Sequence, residues 1–133
     1  MSHLLNSSTD LLETDPEVKS YIYQQLSEFE PYVSPETVVA VVSRDPRKLM
    51  LQFEAEGKET TKEELSKLFR IAIVLKEGDT QIQEEGLHEN VFEAIRLAKQ
   101  SLLKKLEMIQ DSVISNQDRM AQINDALQNH QLH

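Results

Sequence analysis

Residues 69–111 carry the most regular pattern in the chain and constrain its fold more than any other segment. Large apolar residues stand at every second position over residues 69–75, at 69, 71, 73 and 75, which predicts a strand with one buried face. Residues 77–79, Glu-Gly-Asp, predict a tight hairpin turn, and a more polar returning strand is expected over residues 80–85. This segment therefore begins as an antiparallel hairpin.

A long amphipathic helix is predicted to follow the hairpin. Asn90 is a suitable N-cap, and Glu93 stands three residues later, where its side chain can reach back to the cap. Lys99 and Asn116 interrupt an apolar stripe with alternating steps of three and four residues. The stripe consists of Phe92, Ile95, Leu102, Leu106, Ile109, Val113, Met120, Ile123 and Leu127.

An earlier helix is predicted over about residues 15–30. Thr14 is the expected N-cap, with Glu17 completing a capping box, and apolar residues then recur at helical spacing. Pro31 and Pro35 are expected to end this helix, because proline cannot continue the hydrogen-bond ladder.

Three further strands and a short helix complete the predicted elements. Residues 3–6 are expected to form an edge strand, and the β-branched run over 37–43 a central strand. Apolar residues at every second position, 49, 51, 53 and 55, predict another strand over 48–55. Thr61 opens a second capping box, which predicts a short helix over about 62–68.

Length and charge limit the classes of function. The 133 residues fit one domain with an extension, and the absence of cysteine excludes disulfides and thiolate metal sites. No apolar run is long enough for a membrane span and no signal peptide is evident, so a cytoplasmic protein that does not contact membranes is expected. The net charge of −9 argues against nucleic-acid binding outside local basic patches.

Motifs for catalysis are missing from the sequence. There is no nucleophile elbow or glycine-rich phosphate loop, and the chain has only three glycines. Adjacent acids such as Glu84 and Glu85 diverge on a strand, and His88 has no second histidine at ligand spacing. The chain is therefore predicted to be no enzyme, with no cofactor, no metal and no small-molecule substrate.

The passage over residues 86–95, GLHENVFEAI, resembles the ribosome hibernation-promoting factor family, also called ribosome-associated inhibitor or factor Y. The helix start over residues 14–26 and the strand end over 43–46 are similar to that family as well. The resemblance covers roughly residues 3–111. It implies an α+β domain in the order β-α-β-β-β-α, with two parallel helices on one face of a four-stranded sheet. Residues 47–68 are then an insertion and residues 112–133 a helical extension.

The resemblance also implies a function and a set of binding residues. Proteins of this family bind ribosomal RNA of the small ribosomal subunit and silence translation. At comparable places, the cations expected to contact RNA are Arg70, Lys76, Arg96, Lys99, Lys104 and Lys105. The alternative interpretation of the helical cations is an ordinary solvated flank.

The end of the apolar stripe admits three interpretations. It can fold back on its own domain, remain disordered, or form a homodimer contact as a coiled coil. Residues 115–118 could also end one helix and cap another. The predicted dimer seam consists of Val113, Asn116, Met120, Ile123 and Leu127. The alternative function is accordingly a protein-interaction module that keeps the fold, has lost RNA binding and self-associates.

Overall fold

The computed structural model describes residues 12–131, without the side chains of 114–119, 122 and 124–131. It is an α+β structure in which helices flank a three-stranded antiparallel sheet. Its elements are α1 (Pro16–Leu26), a 3-10 helix (Ser27–Tyr32), β1 (Val38–Arg44), a second 3-10 helix (Pro46–Leu49), α2 (Met50–Ala55), α3 (Lys62–Ser66), β2 (Phe69–Glu77), β3 (Thr80–His88) and α4 (Val91–Gln131).

Helix α1 begins one residue later than predicted. Its N-cap is Asp15, whose side chain accepts hydrogen bonds from the backbone N–H groups of Glu17 and Val18, so the predicted Thr14 cap is wrong. The reason is Pro16, which disfavours helical geometry in the residue before it and leaves Asp15 extended. Helix α1 gives way to the 3-10 helix at Ser27, before the predicted end near residue 30.

The predicted hairpin is confirmed, and its first strand, β2, is the central strand of the sheet. Strand β2 lies between β1 and β3, and it pairs with both in antiparallel register. Glu77 pairs with Thr80, so Gly78 and Asp79 alone make the turn. Gly78 has a φ of 60°, a backbone conformation that glycine adopts without steric cost.

One face of the sheet packs against helices. Ile71 of β2 belongs to a core cluster with residues of α1 and of the first turns of α4, and Tyr21 meets Phe92 edge-on at a centroid distance of 5.2 Å. The buried members are Leu12, Val18, Ile22, Ile71, Val91, Ala94 and Ile95.

Strand β3 approaches α4 so closely that only glycine fits at the contact. A Cβ atom on Gly86 would overlap the carbonyl oxygen of Ala94 and would lie 2.6 Å from the backbone nitrogen of Ala98. Both alanines are fully buried. The predicted Asn90 cap then starts α4, because its Oδ1 accepts from the N–H groups of Phe92 and Glu93.

The predicted strand over residues 48–55 is wrong. Asp45 caps a 3-10 helix that begins at Pro46, and α2 follows it without interruption. No residue of α2 is buried, so the alternation there does not mark a buried strand face. The predicted cap at Thr61 is confirmed, since its Oγ1 accepts from the N–H of Glu64 at the start of α3.

The fourth predicted strand, over residues 3–6, lies outside the described residues. Within the described part of the chain, β1 pairs with β2 alone. Helix α4 continues through residues 115–118, so the break considered there is absent. The chain divides into two compact units, Met1–Leu102 and Leu103–His133, and the predicted boundary after residue 111 stays a prediction.

Candidate interaction surfaces

The open face of the sheet carries a cluster of crossed ion pairs. Arg70, on the central strand, donates from Nε to Glu85 Oε1 at 2.9 Å and from Nη1 to the carbonyl oxygen of Asp45 at 3.2 Å. Arg44, on β1, donates from Nη1 to the other oxygen of Glu85 at 2.6 Å and from Nη2 to Gln83. Arg70, a predicted RNA contact, is therefore engaged within its own sheet.

These hydrogen bonds decide the ionisation of Glu85. Burial disfavours its charged form and would raise its pKa, but the hydrogen bonds from Arg70 and Arg44 outweigh burial and lower the pKa. Arg44 must cross β2 to reach β3, and it does so beside Ala72, which pairs with Glu85 in the register. Ala72 is fully buried although it lies on the open face. A small residue at this position leaves room for the arginine side chain.

Two predicted RNA contacts on α4 are also paired. Arg96 binds both carboxylate oxygens of Glu93, with Nη2 2.6 Å from Oε2. The hydrogen bond from Arg96 lowers the pKa of Glu93. The Lys99 side chain is only 11% exposed, and its Nζ lies 2.6 Å from Oε2 of Glu28, which is 48% exposed. Lys99 therefore ties α4 to the segment after α1.

The remaining predicted RNA contacts lie at the surface. Lys76 is exposed near the end of β2 and has no salt bridge within the described residues. Lys104 and Lys105 are exposed on the second unit. Within the first unit, the structure places Arg70 on the open sheet face and Lys99 among buried residues, so the predicted cations do not form one basic surface there.

The second unit exposes a row of apolar side chains. Ile109, Val113, Met120 and Ile123 are between 45% and 59% exposed, and they follow the predicted steps of four, seven and three residues. A shallow groove of about 370 Å³ runs beside the first of them, lined by Lys105, Met108, Ile109, Ser112 and Val113. Asn116 and Leu127 belong to the same helix, and their side chains lie outside the described part.

A cleft of about 670 Å³ is lined mostly by residues of the predicted insertion, and the sequence patterns did not predict it. The 3-10 helix Pro46–Leu49 and α3 pack together there. The Asp-Pro pair at residues 45–46 was an available signal for the helical segment that forms one wall, because aspartate before proline is a typical helix start. We call this the insertion cleft; its lining residues are Asp45, Arg47, Lys48, Met50, Leu51, Glu54 and Lys62.

The described residues contain neither a cluster of metal ligands nor a membrane-spanning helix. No group of three or more histidine or acidic residues there is arranged to hold a metal ion. No described helix is long and apolar enough to cross a bilayer. Comparison of the chain with family models, curated proteins and solved structures found no match. The resemblance to hibernation factors therefore stays a prediction.

Proposed function

We propose that the chain is a cytoplasmic, non-enzymatic protein-interaction module that self-associates through the seam of its second unit. The observation that carries this proposal is the row of exposed apolar side chains at Ile109, Val113, Met120 and Ile123. Single exposed apolar residues are ordinary, but a row with a seven-residue repeat is typical of a helix that pairs with another helix.

A second copy of the chain is the occupant that fits this seam. In a coiled coil, each apolar knob enters a hole formed by four residues of a partner with the same repeat. Residues 103–133 contain three basic and four acidic groups, a net charge of −1, whereas the other 102 residues carry the remaining −8. Residues 103–133 of two copies can therefore approach each other with little electrostatic repulsion.

The exposed area predicts a weak dimer. Burying the exposed half of each seam residue contributes about 1 kcal/mol, so four residues on each of two copies contribute about 8 kcal/mol. Association costs at least about 4 kcal/mol in translational and rotational freedom. The difference of about 4 kcal/mol corresponds to a Kd of about 1 mM, so the dimer should dissociate on dilution through the millimolar range.

Sedimentation equilibrium of the full chain over a concentration series tests the proposal. Ile123→Asp should shift the protein to monomer, because it places a charge in the seam. Ala121→Asp is the matched control, because it makes the same change in charge outside the seam. Residue 121 is exposed and lies about 200° around the helix from residue 123. A wild-type monomer at every concentration, or equal effects of the two substitutions, would contradict the proposal.

A second proposal is the translation modulator that the resemblance implies, bound to RNA of the small ribosomal subunit. It is supported by the passage over residues 86–95 and by the exposure of Lys76, Lys104 and Lys105. It ranks below self-association because Arg70, Arg96 and Lys99 are each bound to a carboxylate of the same chain. RNA phosphates would have to displace those carboxylates, and the free-energy cost of breaking the ion pairs would weaken RNA binding.

Co-sedimentation with small ribosomal subunits across a salt series tests this second proposal. Binding to phosphates should weaken steeply as salt rises, and Lys104→Glu with Lys105→Glu should reduce it at low salt. Lys67→Glu with Lys19→Glu makes the same change in charge elsewhere and should leave it intact. Absence of co-sedimentation even at low salt would exclude ribosome binding.

The finer fold prediction belongs to the same proposal. We propose that residues 3–6 add a fourth strand along β1, which gives the order β-α-β-β-β-α with parallel helices. A groove of about 270 Å³ supports this, because Val39 and Val41 of β1 line it together with Leu12, Ile22 and Leu26. Hydrogen exchange tests it: amides of β1 that point away from β2 should be protected, and deletion of residues 1–6 should remove that protection.

A further inference from the structure

The insertion cleft concentrates cations on a strongly acidic chain. Arg47, Lys48 and Lys62 line it together with Asp45 and Glu54, which gives a local charge of +1 on a chain of net charge −9. Leu51, also in the lining, is 78% exposed. The lining therefore combines exposed cations with an exposed apolar side chain, which makes the cleft a candidate binding site for an anionic ligand with an apolar part.

The walls of the cleft are fixed before any ligand arrives. Asp45 Oδ1 accepts from the backbone N–H of Arg47, and the Arg47 side chain binds both oxygens of Asp45 at 3.0 and 2.9 Å. The hydrogen bond from Arg47 lowers the pKa of Asp45, so this pair is ionised at neutral pH. On the other side, the Thr61 cap starts α3, and Leu65 anchors that helix as a fully buried residue.

Two cations in the cleft remain available. Arg47 is occupied by Asp45, but Lys48 and Lys62 make no salt bridge within the described residues. Met50 and Leu51 provide an apolar surface in the same lining. The cleft thus presents two exposed ammonium groups and an aliphatic contact, which is the complement of an acidic segment with one aliphatic side chain.

We propose that the insertion cleft binds a short acidic peptide segment of a partner protein, with carboxylates at Lys48 and Lys62 and a leucine-like side chain on Leu51. An enclosed small-molecule site would bury most of its ligand, whereas Leu51 and both lysines lie at the surface. Nucleic acid fits less well, because no aromatic side chain lines the cleft for base stacking.

The cleft and the self-association seam share no residue, so either proposal can fail without the other. The test is a selection of random short peptides displayed on phage against the immobilised full chain, followed by fluorescence anisotropy of the enriched peptides. Enriched peptides should combine glutamate or aspartate with leucine, isoleucine or methionine. Their binding should weaken as salt is added, because exposed charges are screened.

Charge reversal in the cleft provides the decisive comparison. Lys48→Glu with Lys62→Glu should lower the affinity of the chain for the enriched peptides at least about fivefold, because two exposed ion pairs become repulsive contacts. Lys19→Glu with Lys67→Glu is the matched control and should change binding less than about twofold. Enrichment of no peptides or of basic peptides, equal effects of the two double variants, or tighter binding of a single-stranded RNA at the cleft would each overturn the proposal.

Discussion

Replacing Gly86 with alanine is expected to be among the most destabilising single changes in the first unit. The added Cβ would overlap the carbonyl oxygen of Ala94 and lie 2.6 Å from the nitrogen of Ala98, where ordinary contact begins at 3.4 Å. Both obstacles are backbone atoms of α4, so no side-chain rotation can relieve them. The helix would have to withdraw by about 1 Å from a close-packed interface.

The expected cost follows from that displacement. Overpacking a well-packed core costs about 1–3 kcal/mol, and a rigid helix backbone places Gly86→Ala at or above the top of this range. About 3 kcal/mol corresponds to a fall in Tm of roughly 12–24 °C for a domain of this size. Urea unfolding followed by far-UV circular dichroism measures the change directly.

Gly57→Ala is the matched control. Gly57 has no atom within 4 Å of an added Cβ, but its φ of 76° makes alanine strained by about 1–2 kcal/mol. Loss of unfolded-chain entropy affects both variants equally and cancels in the comparison. Adding Ala98→Gly should not rescue Gly86→Ala, because the obstacle at residue 98 is the backbone nitrogen. A folded Gly86→Ala variant no less stable than Gly57→Ala would refute this reasoning.

Three further changes test the polar contacts. Glu85→Gln should lose about 1–2 kcal/mol at pH 7. Because the folded-state pKa of Glu85 is lowered, its stabilisation exists above its ordinary pKa and is lost as pH falls through the lowered value, so urea unfolding below about pH 4 should show a smaller difference from wild type. Glu28→Gln should lower the free energy of unfolding by about 1–3 kcal/mol, because it leaves Lys99 buried without its charged partner. Lys99→Met should change the free energy of unfolding little, because it removes the buried charge itself. Similar losses of stability for the two variants would contradict this asymmetry. Asn90→Ala should cost about 1 kcal/mol of thermal stability through loss of the α4 cap, and an unchanged Tm would contradict that role.

Sequence patterns predicted the elements whose buried face or cap can be recognised within a few neighbouring residues. The alternation over residues 69–75 gave β2, because Ile71, Ile73 and Leu75 are buried on one face. The caps at Thr61 and Asn90 were predictable because each cap needs only a side-chain oxygen and an N–H two or three residues away.

Patterns failed where the deciding partner is distant or absent. The alternation over residues 48–55 marks no buried face, and a segment of good helix formers followed the Asp45 cap into a helix instead. Lys99 resembles a surface cation in sequence, but its partner Glu28 lies 71 residues earlier. No periodicity within α4 could have revealed that contact. The insertion cleft was equally unpredictable from periodicity, because it forms between segments that are apart in the chain.

The Arg44–Glu85 bridge over Ala72 links three positions that are far apart in the chain. A larger residue at 72 would block the arginine, and loss of the Glu85 carboxylate would remove the acceptor that Arg44 and Arg70 share. In relatives of this protein, positions 44 and 85 should therefore vary together, with opposite charges or with two apolar residues, while position 72 stays small. Such covariation across β1, β2 and β3 would mark descent with this sheet even where overall sequence identity has been lost.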